Sequence, residues 1–141
     1  MNMNREIKFR VWCKKREYYV VQGNSLSDFF DDFLAYRTYL NDKDLIWEQY
    51  TGLKDKNGVE VYEGDIVENK WESRKSATPY YPKGVIKFEY AAFVWIPFEE
   101  RNDDESYDSV NWWKISLKQQ GEGSECMEVV GNTFENPDLM E

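Results

Sequence analysis

The segment Gln49–Val67, QYTGLKDKNGVEVYEGDIV, constrains the fold more than any other part of the chain. Asn57-Gly58 marks a hairpin, because both central positions of a type I′ turn need positive φ and this pair tolerates it. Beyond it Val59 and Val61 alternate with Glu60 and Tyr62, the period of a strand with two unlike faces. Glu63-Gly64-Asp65 then interrupts, and Ile66-Val67 resumes the apolar run. Gly64 permits a backbone bend, and the Asp65 carboxylate can accept from nearby backbone N–H groups. A sharp bend inside a β run is how a sheet curls over itself to close a small barrel. Asn57, Gly58, Gly64 and Asp65 are therefore read as structural turn residues.

The flanking chain extends this β pattern. In Arg5–Trp12, Ile7, Phe9 and Val11 face one way while Glu6, Lys8 and Arg10 face the other, as in a half-buried strand. Lys14–Glu17 suits a turn, and Tyr18–Val21 can return antiparallel to the first strand. Ser25–Leu40 changes period. Leu26, Phe29, Phe30, Phe33, Arg37 and Leu40 recur at helical spacing, with Ser25 or Ser27 as cap and aspartates in the first half. Leu45–Tyr50 can form a short strand. Glu68–Lys83 contains two prolines and is read as a long loop or edge insertion. Gly84–Ile96 reads as two strands, with Ile86, Phe88 and Tyr90 alternating against Val85, Lys87 and Glu89. Glu99–Ser109 is an acidic loop, Val110–Leu117 a further strand, and Glu125–Val130 the last one. Short strands, one helix and no βαβ alternation give a mainly β fold with a minor α component. The expected organisation is a strand–helix elaboration over residues 1–48, packed on a small SH3-like β-barrel over residues 49–141.

Composition narrows the function classes. Six Trp, ten Tyr and eight Phe bury enough area for a compact fold in a chain that is 32% charged. The net charge of −9 lowers the attraction to nucleic acid, which needs clustered Lys and Arg, and also to anionic membranes. There is no histidine, which removes the commonest general base and the commonest transition-metal ligand. Phosphate-binding and dinucleotide-binding glycine motifs are missing from the sequence. The acidic loop Asp103–Asp108 lacks the ligand spacing of a calcium loop. Cys13 and Cys126 fit no metal spacing and read as buried free thiols, a disulfide requiring that their segments pair. No catalytic residue, cofactor or metal site is expected. With no signal-peptide pattern and no apolar run long enough to span a bilayer, the expected location is the cytoplasm.

Four blocks carry a resemblance: REIKFRVW near the start, QYTGLKDKNGVEVYEGDIV in the middle, GVIKFEYAAFVW after it, and EVVGNTFENPDLM at the end. In that order they resemble the YopX-like proteins of bacteriophages and prophages, and the central block is the specific one. The resemblance implies an SH3-type barrel, a phage or prophage origin and action in the bacterial host's cytoplasm. It carries over no functional residue. The helix and the two insertions fall between the matched blocks.

Two surfaces invite a binding role. Trp71, Arg74, Lys75, Tyr80 and Tyr81 interleave rings with cations, a pattern that can stack single-stranded bases or hold an extended peptide. Trp112 and Trp113 are neighbours in an expected strand, so one ring faces the core and the other a surface or subunit interface. The leading expectation is a non-enzymatic protein-interaction or regulatory module whose partner is a host or phage protein, with self-association also open. The alternative is a single-stranded nucleic-acid-binding barrel.

Overall fold

The computed structural model describes residues 6–24, 31, 41–69, 83–89, 91–98 and 127–141. Within these, the chain is mainly β, with two four-stranded antiparallel sheets. The strands are β1 (Phe9–Cys13), β2 (Tyr18–Asn24), β3 (Leu45–Lys54), β4 (Glu60–Tyr62), β5 (Asp65–Asn69), β6 (Lys83–Glu89), β7 (Ala92–Pro97) and β8 (Met127–Asn132). One sheet runs β2-β1-β3-β4 and the other β7-β6-β5-β8. The chain divides into two compact units, Met1–Gly52 and Leu53–Glu141. The division falls inside β3, which runs on through the Leu45–Tyr50 segment expected to be a short strand.

In the first unit, Lys14–Glu17 turns the chain as its charge suggests. Glu17 takes a left-handed φ of 56°, and its N–H bonds the Cys13 carbonyl at 2.8 Å. Tyr18 then pairs with Cys13, and β2 returns antiparallel. Val11 opposes Val21 but Trp12 opposes Tyr19, so Val20 is an extra residue that bulges the strand and strengthens its twist. On the other side β1 pairs in continuous register with β3, from Phe9↔Gln49 to Cys13↔Leu45. The core here is Val11 and Val21, with Phe9, Val20 and Leu45 packed against it.

One expectation needs correction. Arg10 does not lie on a solvated face. Its side chain is only 12% exposed, and Trp12 and Glu48 on the same face are buried. Conversely Ile7, read as core, is exposed and precedes the strand. The expected Ser25–Leu40 helix lies outside the described residues except for Asp31, which is helical and exposed.

In the second unit the hairpin at Asn57-Gly58 is present, with a different turn from the one expected. Gly58 alone of the pair is left-handed, at φ 80°. Gly58 N donates to Asp55 O at 3.0 Å and Asp55 N to Val59 O at 2.8 Å. This is a three-residue loop with a left-handed glycine at its end, the next commonest hairpin connection. The Asp55 side chain selects it by accepting from within the loop. At Glu63-Gly64 the chain leaves one sheet and enters the other. Gly64 has φ 85°, its N–H donates to Ile86 O at 2.7 Å, and its carbonyl accepts from Thr133 N at 3.0 Å. The expected bend is there.

The core of this unit is Val61, Val67, Ile86, Val94, Trp95 and Met127, with Ala92, Ile96 and Val129 packed against it. Burying each of the larger aliphatic side chains contributes about 1.5–3 kcal/mol. β6 and β7 pair from Gly84↔Pro97 to Glu89↔Ala92, leaving a two-residue connection that ends at Ala91, with φ 60°. Phe88, set on the same side as Ile86 by the alternation, is nonetheless 48% exposed and rests edge-on against Phe93, its cross-strand partner, at 4.9 Å. β8 runs two residues past its expected end at Val130. Its last residue, Asn132, caps the following turn by accepting from Phe134 N at 3.1 Å and Glu135 N at 2.9 Å. A short 3-10 helix, Pro137–Met140, follows.

Candidate functional site

The first unit carries a buried charged cluster on the face opposite Val11. Arg10 and Glu48 are cross-strand partners on β1 and β3, which places their side chains side by side. Arg10 Nε donates to Glu48 Oε1 at 2.8 Å, and the Tyr19 hydroxyl donates to the same oxygen at 2.7 Å. The guanidinium lies 4.8 Å from the Tyr19 ring centroid, so the cation meets the ring face and the carboxylate together. Trp12 packs edge-on against Tyr19 at 5.0 Å. Lys8 continues the row, with Nζ 5.5 Å from the Tyr50 ring and 3.3 Å from the exposed Glu6 carboxylate. A carboxylate taken out of water needs such donors, because unpaired it would be strongly destabilising. The cluster has the chemistry of a structural ion pair.

The opposite face of the same sheet presents aromatic surface. Trp47 is 43% exposed, and Phe9 meets it edge-on with ring centroids 6.0 Å apart. The pair follows from register: Phe9 opposes Gln49 and Trp47 opposes Val11, so the rings are diagonal neighbours on one face. Tyr18, on the same sheet, is also exposed.

In the second unit the buried carboxylates hold main chain. Asp55 Oδ1 accepts from Asn57 N at 2.8 Å and Val59 N at 2.9 Å, while Oδ2 accepts from Val129 N at 2.9 Å. A single side chain thus closes the hairpin loop and ties it to β8. Lys56 adds to the tie: its N–H donates to Met127 O at 3.0 Å, and its Nζ lies 3.2 Å from the Glu128 carboxylate. Asp65 Oδ2 accepts from Tyr62 N at 2.7 Å across the Glu63-Gly64 bend, as its position in the sequence suggests. The Trp95 indole N–H reaches Val67 O at 3.0 Å. Val67 opposes Gly84 in the adjacent strand, and only the missing side chain there lets the indole pass.

Of the residues the sequence singles out, Asn57 and Gly58 lie in the hairpin loop of the second unit and Gly64 and Asp65 at its bend. Trp71, Arg74, Lys75, Tyr80, Tyr81, Trp112 and Trp113 lie outside the described residues, as does Cys126. Cys13 is a buried free thiol. The sequence reading does not single out Arg10, Tyr19, Trp47, Glu48 or Asp55. For Asp55 a signal exists: an aspartate two residues before Asn-Gly is placed to accept from its own turn. For Arg10 and Glu48 there is none, since their pairing depends on cross-strand register. Among the described residues, no group of three or more acidic or thiol side chains is placed to hold a metal ion. No helix among them is long and apolar enough to cross a membrane.

The chain is similar to a crystal structure of protein EF1440 from Enterococcus faecalis, at 22% identity and a TM-score of 0.54. The alignment covers 96% of this chain and 98% of that one. That likeness speaks to the fold alone. No curated protein matches the chain. The family model described as YopX protein matches residues 8–141, taking in every described strand. The chain belongs to the YopX protein family.

Proposed function

We propose that the protein is a non-enzymatic interaction module, encoded by a phage or prophage and acting in the bacterial host's cytoplasm. The observation that carries this reading is the exposed Trp47 on the first sheet, braced edge-on by the partly buried Phe9. A half-exposed indole held rigidly by strand backbone is the kind of anchor on which interfaces concentrate their binding energy. The use of the buried carboxylates also supports it. Glu48, Asp55 and Asp65 accept hydrogen bonds from a cation, a phenol or the main chain. An acid–base dyad instead needs carboxyls whose environments drive their pKa values apart over a substrate. The second unit reads as a small barrel of SH3 type, supported by its short antiparallel strands and the sheet change at Glu63-Gly64.

The test is capture from host lysate by the full chain, run beside Trp47→Ala with circular dichroism confirming that both are folded. A protein retained by the wild type and lost with Trp47→Ala is the expected result. Nothing above background on the folded wild type overturns the interaction reading. A partner held equally by both chains overturns the assignment of its surface to Trp47.

A further inference from the structure

We propose that Asn57-Gly58 is a site of spontaneous deamidation, and that the folded hairpin gates the reaction. The sequence contains no other Asn-Gly pair. The chemistry is intramolecular. The main-chain nitrogen of Gly58, deprotonated, attacks Asn57 Cγ; a C–N bond forms, the bond from Cγ to the side-chain amide nitrogen breaks, and ammonia leaves. Water then opens the resulting five-membered imide at either carbonyl, giving aspartate or isoaspartate at position 57. The balance is one amide and one water giving one carboxylic acid and one ammonia, with no redox change.

Glycine is the following residue that hinders this attack least, since no Cβ crowds the nitrogen. The site is open on every side that matters. Asn57 and Gly58 are both exposed, and a Cβ built at Gly58 would meet nothing within 4 Å. What restrains the reaction is the turn. The attacking nitrogen is held as a donor to Asp55 O at 3.0 Å. The two neighbouring N–H groups, of Asn57 and Val59, are both held by Asp55 Oδ1. Ring closure therefore requires the loop to open, a local event with a far lower free-energy cost than global unfolding.

The consequence reaches beyond the loop. Either product adds a negative charge at position 57, next to the Asp55 carboxylate that also accepts from Val129 N. Isoaspartate in addition lengthens the main chain inside a three-residue loop. Both changes weaken the tie between the hairpin and β8, so the modified chain loses protection at Val129.

The experiment incubates the full chain at mildly alkaline pH and follows Asn57 by peptide mapping, with isoaspartate quantified. It is run beside a urea-unfolded sample, a series at urea concentrations below the unfolding transition, and Asp55→Asn. Slow conversion at Asn57 in the native chain is expected, several-fold faster in Asp55→Asn, rising with urea and fastest when unfolded. If Asp55→Asn does not fold, the urea series on the wild type decides the same question. A native rate equal to the unfolded rate overturns the gating. An Asn57 that stays an amide in the native chain while other asparagines convert overturns the site.

Discussion

Replacing Gly84 by alanine tests how the second core is built. A Cβ at position 84 would fall on the Ile96 carbonyl oxygen and lie 2.7 Å from both Cε2 and Nε1 of Trp95. Real Cβ atoms do not come so close. The carbonyl belongs to β7 backbone, held in the ladder by Val85↔Ile96 and Gly84↔Pro97, so both that backbone and the indole must give way. Trp95 is 2% exposed, and its N–H bond to Val67 O is buried. Moving the ring strands that donor and acceptor, at about 1–3 kcal/mol. Forcing a methyl into a close-packed core adds about 1–3 kcal/mol of strain. We expect Gly84→Ala to lose about 3–4 kcal/mol, less than the full total of both effects because one movement of the ring relieves part of the strain. Against a typical domain stability of about 5–15 kcal/mol this is a large fraction.

Urea unfolding followed by tryptophan fluorescence and far-ultraviolet circular dichroism reads the loss. With a slope of about 1–3 kcal/mol per molar urea, the midpoint falls by about 1–4 M. Trp95→Phe supplies the control, because the smaller ring removes the contact with the indole while leaving that with the Ile96 carbonyl. The Gly84→Ala, Trp95→Phe double variant should lose at least about 1 kcal/mol less than the two single variants predict together. A Gly84→Ala chain within about 0.5 kcal/mol of wild type, or strict additivity with Trp95→Phe, refutes the reasoning.

Three further outcomes are expected. Asp55→Ala strips the acceptor from Asn57, Val59 and Val129 N–H and should cost about 2–4 kcal/mol. In native-state hydrogen exchange the Val59 and Val129 amides should lose protection together, and Val129 keeping its protection would contradict the tie. Arg10→Ala takes the guanidinium away from the buried Glu48 carboxylate and should cost about 3–5 kcal/mol. Arg10→Met combined with Glu48→Leu should recover most of that loss in the same urea assay. Ala91, left-handed at φ 60°, should gain up to about 1 kcal/mol on replacement by asparagine or glycine, read as a rise in the thermal midpoint.

Local chemistry was legible without the fold. Lys14–Glu17, Asn57-Gly58 and Glu63-Gly64-Asp65 all turn the chain where their residues suggest. The φ values of Gly58 and Gly64 and the reach of Asp65 to Tyr62 N involve atoms only a few residues apart. The turn type at Asn57-Gly58 was less legible, because it depends on which neighbour accepts the loop's N–H groups, and that neighbour is Asp55. The strand pattern gave the β class and placed β1, β2, β6, β7 and β8 to within a few residues. It misjudged individual faces. Period 2 assigns residues to sides, but whether a side is covered depends on what packs there. Arg10 is covered where the pattern left it open, and Ile7 and Phe88 are open where it suggested cover.

The amino-acid sequence by itself therefore determined where this chain turns, that it is mainly β and which family it joins. Those properties rest on sterics and hydrogen bonds between near neighbours, together with a run of residues long enough to be distinctive. Tertiary structure alone decided that Asp55 meets Val129 across 74 positions and Arg10 meets Glu48 across 38. It also decided that the Trp95 indole crosses Gly84 to reach Val67. Each of these depends on strand register, and register is a property of the paired sheet. Gln49–Val67 announces the hairpin and the bend, while β8, Thr133 and Ile86 supply what holds them.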